Sequence, residues 1–251
     1  MSYVLAIVLG IIQGIAEFLP ISSTAHLLIA EHFLGTIPTP ENSFEVAVQS
    51  GSALALLILF APKIMQLKKS FLLPYILALI PAVVLGALFS STIKYYLYGP
   101  STFSWSLILG GLVMIWTEKK AQKPCLTELE SVQPSQGFSV GLMQAIALIP
   151  GVSRLGATLV GARLLGFDRK TAVEFSLLLA IPILFGATLH DLVKHLNVLS
   201  MHDIGLMSTG ALSALATGLL VLKPCMKALI QYGLTPFGWY RIGLGIAITL
   251  F

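Results

Sequence analysis

The chain has 251 residues, 56% of them hydrophobic and 10% charged, with a mean hydropathy of +0.90. Soluble domains carry roughly 25% charged residues, so an ordinary water-soluble globule is excluded, and apolar runs from end to end leave no stretch for a separate soluble domain. The net charge of +4 is spread through short connections rather than gathered on one face, which argues for topology-setting charge beside anionic lipid and against a nucleic-acid partner.

A hydrocarbon core of about 30 Å needs roughly 20 mostly apolar residues per crossing helix. The chain opens with two helical runs, 1–18 and 21–34, interrupted by Leu19-Pro20-Ile21-Ser22-Ser23. The first run has no positive leader and no small-residue cleavage site, so it is predicted to belong to the mature fold rather than to a signal peptide. Full spans are predicted over 43–61, 72–91 and 102–117. Two more short runs follow, 138–149 and 152–166, interrupted by Pro150-Gly151-Val152-Ser153-Arg154. Spans over 171–191, 204–222 and 237–251 complete the chain. Each half of an interrupted region is too short to cross, and irregular backbone at membrane depth survives only where protein or a water-filled cavity satisfies it. The predicted fold is therefore an all-α polytopic membrane protein with six transmembrane helices and two re-entrant helical hairpins whose tips face a polar cavity. Cys125 and Cys225 are expected in separate connections and show no metal-ligand spacing.

The two breaks belong to an internal repeat. A shift of 131 positions carries Gly10 onto Gly141, Gln13 onto Gln144, Ile15 onto Ile146 and Ala16 onto Ala147. The same shift, without a gap, carries Ser22 onto Ser153, Leu34-Gly35 onto Leu165-Gly166 and Phe44 onto Phe175. Each unit, about 1–117 and about 138–251, is a hairpin followed by three spans, joined by a connection at about 118–137 within one membrane domain covering 1–251. An odd number of crossings inverts the second unit, and paired interrupted segments in inverted halves point to a site near the bilayer midplane. Lys63, Lys68, Lys69, Lys119, Lys120, Lys123, Arg169, Lys170, Lys223 and Lys227 all fall on one side of this arrangement, and only Lys94 and Lys194 on the other. The positive-inside bias makes the first side cytoplasmic and puts both termini outside.

The chemistry-bearing residues cluster at the breaks. Gln13 and Glu17 are four apart and share a helical face. Pro20 ends that helix, and Ser22, Ser23 or Thr24 can cap the next. Ser23 and His26 are three apart, and a hydroxyl beside an imidazole is the minimum for an activated nucleophile. An ionisable residue at membrane depth is a functional candidate by default, which singles out Glu17 and His26. In the second break, Gly151 and Gly156 permit close backbone approach to a ligand. Ser153 can cap the following helix and aim its free amides at an anion, Arg154 offers a planar fork for phosphate, and Thr158 converges on the same spot. Gln49 and Glu174 could line the cavity or bridge helices. Glu31, Glu41, Glu45, His32, Asp191, His195, His202 and Asp203 lie near outward connections and are expected to be solvated. Tyr95, Tyr96, Tyr98, Trp105, Trp116 and Trp239 read as interfacial anchors.

At the two breaks the sequence resembles the undecaprenyl-diphosphatase family, the bacitracin-resistance type of bacterial inner-membrane phosphatase. Gln13 to His26 is similar to that family's (Glu/Gln)xxxGlu motif and its continuation, and Pro150 to Thr158 to its PGxSRSGxT. Phe44–Gly51, Glu174–Pro182 and Trp239–Ile242 extend the likeness. Ala25 stands where glycine is usual, and Leu155 replaces the second serine of the second motif.

The resemblance implies hydrolysis of undecaprenyl diphosphate to undecaprenyl phosphate, recycling the carrier lipid of cell-wall synthesis and giving bacitracin resistance. It also implies a site open to the outer face of the plasma membrane and dependence on a divalent cation, Mg or Ca. On this reading Glu17, Ser23, His26 and Arg154 are catalytic, while Gln13, Ser22, Ser153, Gly151, Gly156 and Thr158 bind substrate. Glu17 and Gln13 are the candidates to hold the metal, and Ser23 and a metal-bound water are both open as nucleophile. A homodimer is one open assembly. The alternative is an inverted-repeat transporter or lipid translocase for a phosphorylated substrate; the Ser/His/Glu set opposite the arginine favours the enzyme, because transport alone needs no nucleophile–imidazole pair.

Overall fold

The computed structural model describes residues 1–35, 43–121, 124–195 and 197–249, and for Lys94 the backbone alone. The described residues are helical throughout, apart from turns and an isolated parallel bridge between Leu126 and Phe167. The first interrupted region is α1 (Tyr3–Ala16) and α2 (Ser23–Leu34), and the second is α6 (Pro134–Ile146) and α7 (Arg154–Leu164). The six predicted spans are α3 (Ser43–Ile64), α4 (Leu72–Leu97), α5 (Pro100–Lys120), α8 (Arg169–His195), α9 (Met201–Tyr232) and α10 (Thr235–Thr249). The predicted end of the last span, residues 250 and 251, lies outside the described residues, as do Lys123 and Glu41.

Four helices are long and apolar enough to cross a membrane: Ser43–Ile64, Lys69–Ile93, Arg169–His195 and Met201–Tyr232. α5 dilutes its apolar run with Ser101, Thr102, Ser104 and Ser106, and α10 has only 15 described residues. Large apolar side chains such as Ile7, Ile76, Val83, Leu109, Leu212 and Leu220 are exposed around the bundle. Soluble monomers rarely show so continuous an apolar exterior; the chain is a multi-pass membrane protein. One expectation fails at α9, which continues ten residues beyond the predicted end at 222. The apolar run stops there, but Lys223 and Lys227, four apart, carry the helix on with one polar face. Cys225 is therefore buried inside α9 rather than in a connection.

Lipid is as apolar as leucine, so helices in a bilayer associate mainly through close packing of small residues and interhelical hydrogen bonds. α1 lies on α9, where a Cβ on Gly14 would sit 2.8 Å from the Ala214 carbonyl and one on Gly10 would overlap the Gly210 carbonyl. The repeat mirrors this contact: α6 lies on α4, where Gly137 and Gly141 abut the carbonyls of Pro74 and Ala78. α3 is pressed against α9 at Gly51 and Ala211, and α5 against α10 at Gly111 and Gly238. Ion pairs join the ends of α3, α5 and α8, and a hydrogen bond to backbone adds α9. Lys63 pairs with Glu174, and Arg169 donates to Glu118 through Nε (2.9 Å) and to the Gln231 carbonyl (2.9 Å). Glu174 thus bridges helices, and these basic residues share one end of the bundle, as the charge pattern predicts.

Gly51→Ala drives a methyl into the Ala211 backbone, whereas Gly186→Ala enters open space. The first variant is expected to lose about 1–3 kcal/mol through overpacking and to unfold at lower temperature in detergent. The second is expected to match the parent in the same thermal scan.

Candidate active site

Each break ends one helix and starts another with a serine cap. Ser22 Oγ accepts from the Ala25 amide (3.4 Å), and Ser153 Oγ accepts from the Gly156 amide (3.1 Å). The two caps are repeat-equivalent in both donor and acceptor. Ser22 has φ +72°, the one positive φ on a non-glycine residue among the described residues, and Gly151 has φ +88° in the second break. A serine held in this region costs of order 1–3 kcal/mol, and such strain concentrates at functional sites. Both α2 and α7 therefore present first-turn amides, a favourable environment for an anion.

Glu17 ties the breaks together. It is 7% exposed, and Arg154 Nη2 donates to its Oε1 at 2.6 Å. Its Oε2 accepts from Gln13 Nε2 (2.9 Å) and from Ser23 Oγ (2.7 Å). One carboxylate so holds an amide, a hydroxyl and a guanidinium, and the last comes from the other half of the chain. Arg154 keeps capacity in reserve, because its buried Nε and Nη1 have no hydrogen-bond partner among the described residues.

His26 does not pair with Ser23 as its spacing suggests. Its Nδ1 lies 2.8 Å from the Ser22 carbonyl, which can only accept, so Nδ1 carries the proton. Its Nε2 is then an acceptor, and the Tyr240 hydroxyl donates to it at 2.7 Å, with the rings stacked at an interplanar angle of 10°. The strained cap is the reason for the difference: Ser22 turns the first residue of α2 back toward Glu17 while its own carbonyl collects His26.

Gly151 and Gly156 serve packing as well as any ligand. A Cβ on Gly151 would be 2.9 Å from Ser106 Cβ, and Gly156 makes room for Met114. Thr158 is fully buried and donates to the carbonyls of Arg154 and Leu155 at 3.1 Å, so its hydroxyl is occupied by its own helix. Among the described residues no three His, Cys, Asp or Glu side chains are grouped to hold a metal. A Mg²⁺-type ion is, however, usually held by one or two carboxylates plus substrate phosphates. Glu17 and the buried Oε1 of Gln13, which lacks a partner among the described residues, are oxygen donors of that kind. The residues fit a cation that substrate helps to bind, not a resident all-protein cage.

Residues 6–247 match the model of the family described as bacitracin resistance protein BacA. The chain belongs to the BacA family. It is 39% identical to undecaprenyl-diphosphatase 1 of Agrobacterium fabrum over 254 residues, covering 97% of this chain and 94% of that protein. It is 38% identical to the undecaprenyl-diphosphatase of Parvibaculum lavamentivorans (100% and 97%) and 36% identical to that of Nitrosomonas europaea (98% and 93%).

The BacA match extends into α10, which supplies two residues that motif reading placed within the Trp239–Ile242 likeness but gave no role. Tyr240 holds His26, and the buried guanidinium of Arg241 reaches the carbonyls of both breaks, Pro20 (3.2 Å) and Gly151 (3.1 Å). The signal was present in Trp239-Tyr240-Arg241, where an arginine interrupts an otherwise apolar helix with no acidic neighbour. A second expectation is corrected at the far end of α2. Glu31, Glu45, Asp191 and His195 are buried rather than solvated. His195 Nδ1 lies 3.0 Å from the Asp191 carbonyl and 3.3 Å from Ser43 Oγ. The packing of α3 on α8 encloses these side chains near the helix ends, whereas His32 and His202 are exposed as expected.

The tautomer of His26 is directly measurable. ¹⁵N spectra of histidine-labelled protein in detergent should show Nδ1 protonated and Nε2 accepting. In Tyr240→Phe the Nε2 resonance alone should move toward that of a free pyridine-type nitrogen. A wild-type ring protonated at Nε2 would contradict the arrangement.

Proposed function

We propose that this chain hydrolyses undecaprenyl diphosphate to undecaprenyl phosphate and inorganic phosphate. The observation that carries the reading is the double engagement of Glu17, with Ser23 on one oxygen and Arg154 on the other. The names of the relatives supply the substrate. Arg154, with two free donors, the Ser153 and Ser22 hydroxyls and the first-turn amides of α7 bind the diphosphate. Phosphoryl transfer asks mostly for positioning and charge neutralisation, and these groups provide both.

In this scheme Ser23 Oγ attacks the terminal phosphorus while its proton passes to Glu17 Oε2. The bond from that phosphorus to the bridging oxygen breaks, and undecaprenyl phosphate leaves. Water then attacks the phosphoserine, giving its proton to His26 Nε2 once Tyr240 yields that nitrogen. Glu17 returns its proton to Ser23 as inorganic phosphate departs, and His26 releases the other to solvent. Gln13 keeps Glu17 oriented. Gln13 and Glu17 would also hold a divalent cation, Mg or Ca, which when bound neutralises phosphate charge.

The finer topology belongs to the same proposal. Six helices cross the membrane and α1–α2 and α6–α7 are re-entrant, in two inverted units. The end bearing Lys63, Glu118 and Arg169 is cytoplasmic, and the site opens to the periplasm or exterior of a bacterial plasma membrane. The polyprenyl tail stays between helices, in lipid, and the product re-enters cell-wall synthesis, giving bacitracin resistance.

Purified protein in detergent, where no gradient exists, is expected to release phosphate from undecaprenyl diphosphate; a pure transporter would release none. An arginine clamp on a transferring phosphoryl group is worth about 10³–10⁵-fold. Arg154→Ala, monodisperse by size exclusion, should therefore lose at least about 10³-fold in kcat/KM. Near-normal turnover in that variant would remove the clamp from the scheme. A chelator should abolish activity and Mg²⁺ or Ca²⁺ restore it; activity undiminished by chelation would remove the cation.

A further inference from the structure

We propose that Arg241 is a positioning residue for this hydrolysis: its guanidinium grips the same backbone carbonyl in each repeat and thereby aligns Ser23 with Arg154. The proposal rests on the hydrolase reading above. Arg241 is 1% exposed, the largest fully buried side chain among the described residues. Nη1 donates to the Pro20 carbonyl (3.2 Å), and Nη2 to the carbonyls of Gly151 (3.1 Å) and Ser106 (2.9 Å). Nε donates to the Leu107 carbonyl at 3.4 Å. Every one of these partners is backbone.

A buried cation without a carboxylate is expensive, so the arrangement calls for a physical reason. Pro20 and Gly151 stand where a helix has ended and irregular backbone lies at membrane depth, so their carbonyls need a donor from within the protein. They are also related by the 131-residue shift of the repeat, as are Ser23 and Arg154. Each gripped carbonyl therefore lies three residues before the side chain that handles phosphate in its half. One rigid planar fork spans both halves, which a lysine point charge cannot do. α10 is thus a brace between the hairpins, and the span of the guanidinium sets the distance between nucleophile and clamp.

Gly110 allows a test that leaves Arg241 in place. A Cβ there would lie 3.0 Å from Cζ and 3.3 Å from Nε of Arg241, so Gly110→Ala pushes the guanidinium aside while retaining its charge and donors. Alanine within a helix is otherwise favoured over glycine, but overpacking and the weakened bonds of Arg241 are expected to lower the melting temperature modestly, so kcat is read per folded protein. Misplacement by about 1 Å can cost roughly 10²-fold in rate. Arg241→Lys is expected to lose about that factor in kcat, and Gly110→Ala roughly tenfold or more, with KM for undecaprenyl diphosphate changed much less. Both are measured as phosphate release in detergent beside thermal unfolding of the same samples. If Arg241→Lys fails to fold, Gly110→Ala alone decides. Unchanged kcat in Gly110→Ala, or losses in step with lost folded protein, would overturn the positioning role. A wild-type protein that releases no phosphate would instead overturn the hydrolase reading and leave this role without a reaction to serve.

Discussion

A buried carboxylate and a buried guanidinium must find partners inside the protein, and the pairing of Glu17 with Arg154 meets that demand across the two halves of the chain. Much of the architecture is arranged around it. Glycine-mediated contacts seat the first helix of each hairpin against a long helix, and the proline- or glycine-broken tips meet between the halves. Helix starts at both breaks add amides and partial positive charge beside the pair. A lone buried carboxylate there would destabilise the fold; Arg154, Gln13 and Ser23 supply the donors that satisfy it.

The repeat supplies a near-symmetric frame on which asymmetric chemistry is placed. Ser22 and Ser153 cap equivalent helices, Pro20 and Gly151 lend equivalent carbonyls to Arg241, and Gly10 and Gly141 seat equivalent helix crossings. At the first helical position the halves diverge: one has the hydroxyl of Ser23, the other the guanidinium of Arg154. Glu17 likewise has Leu148 as its counterpart. On the proposed hydrolase reading, duplication brings the nucleophile and its anion clamp face to face, and divergence at these few positions separates attack from binding.

The breaks were legible because proline and clustered polar residues inside an apolar run have few explanations, and the shared end of the bundle was legible from its lysines and arginines. Side-chain pairing was less so. A spacing of three puts Ser23 and His26 on one face of a regular helix, but Ser22 at φ +72° redirects the first turn. Nearness to a connection did not reveal the burial of Glu31, Glu45, Asp191 and His195, because neighbouring helices run past their apolar segments and enclose them. Tyr240 and Arg241 were masked by Trp239, which makes their stretch look like an interfacial anchor. Their partners lie more than 80 residues away in sequence, beyond any local pattern.

The most direct test of the central claim is an experimental structure with a methylene-bridged polyprenyl diphosphate, which cannot be cleaved. The terminal phosphate is expected on Nε and Nη1 of Arg154, with Ser23 Oγ in line behind its phosphorus and Glu17 still bonded to the serine. A diphosphate bound elsewhere, or Glu17 and Arg154 on separate faces of the protein, would contradict the account.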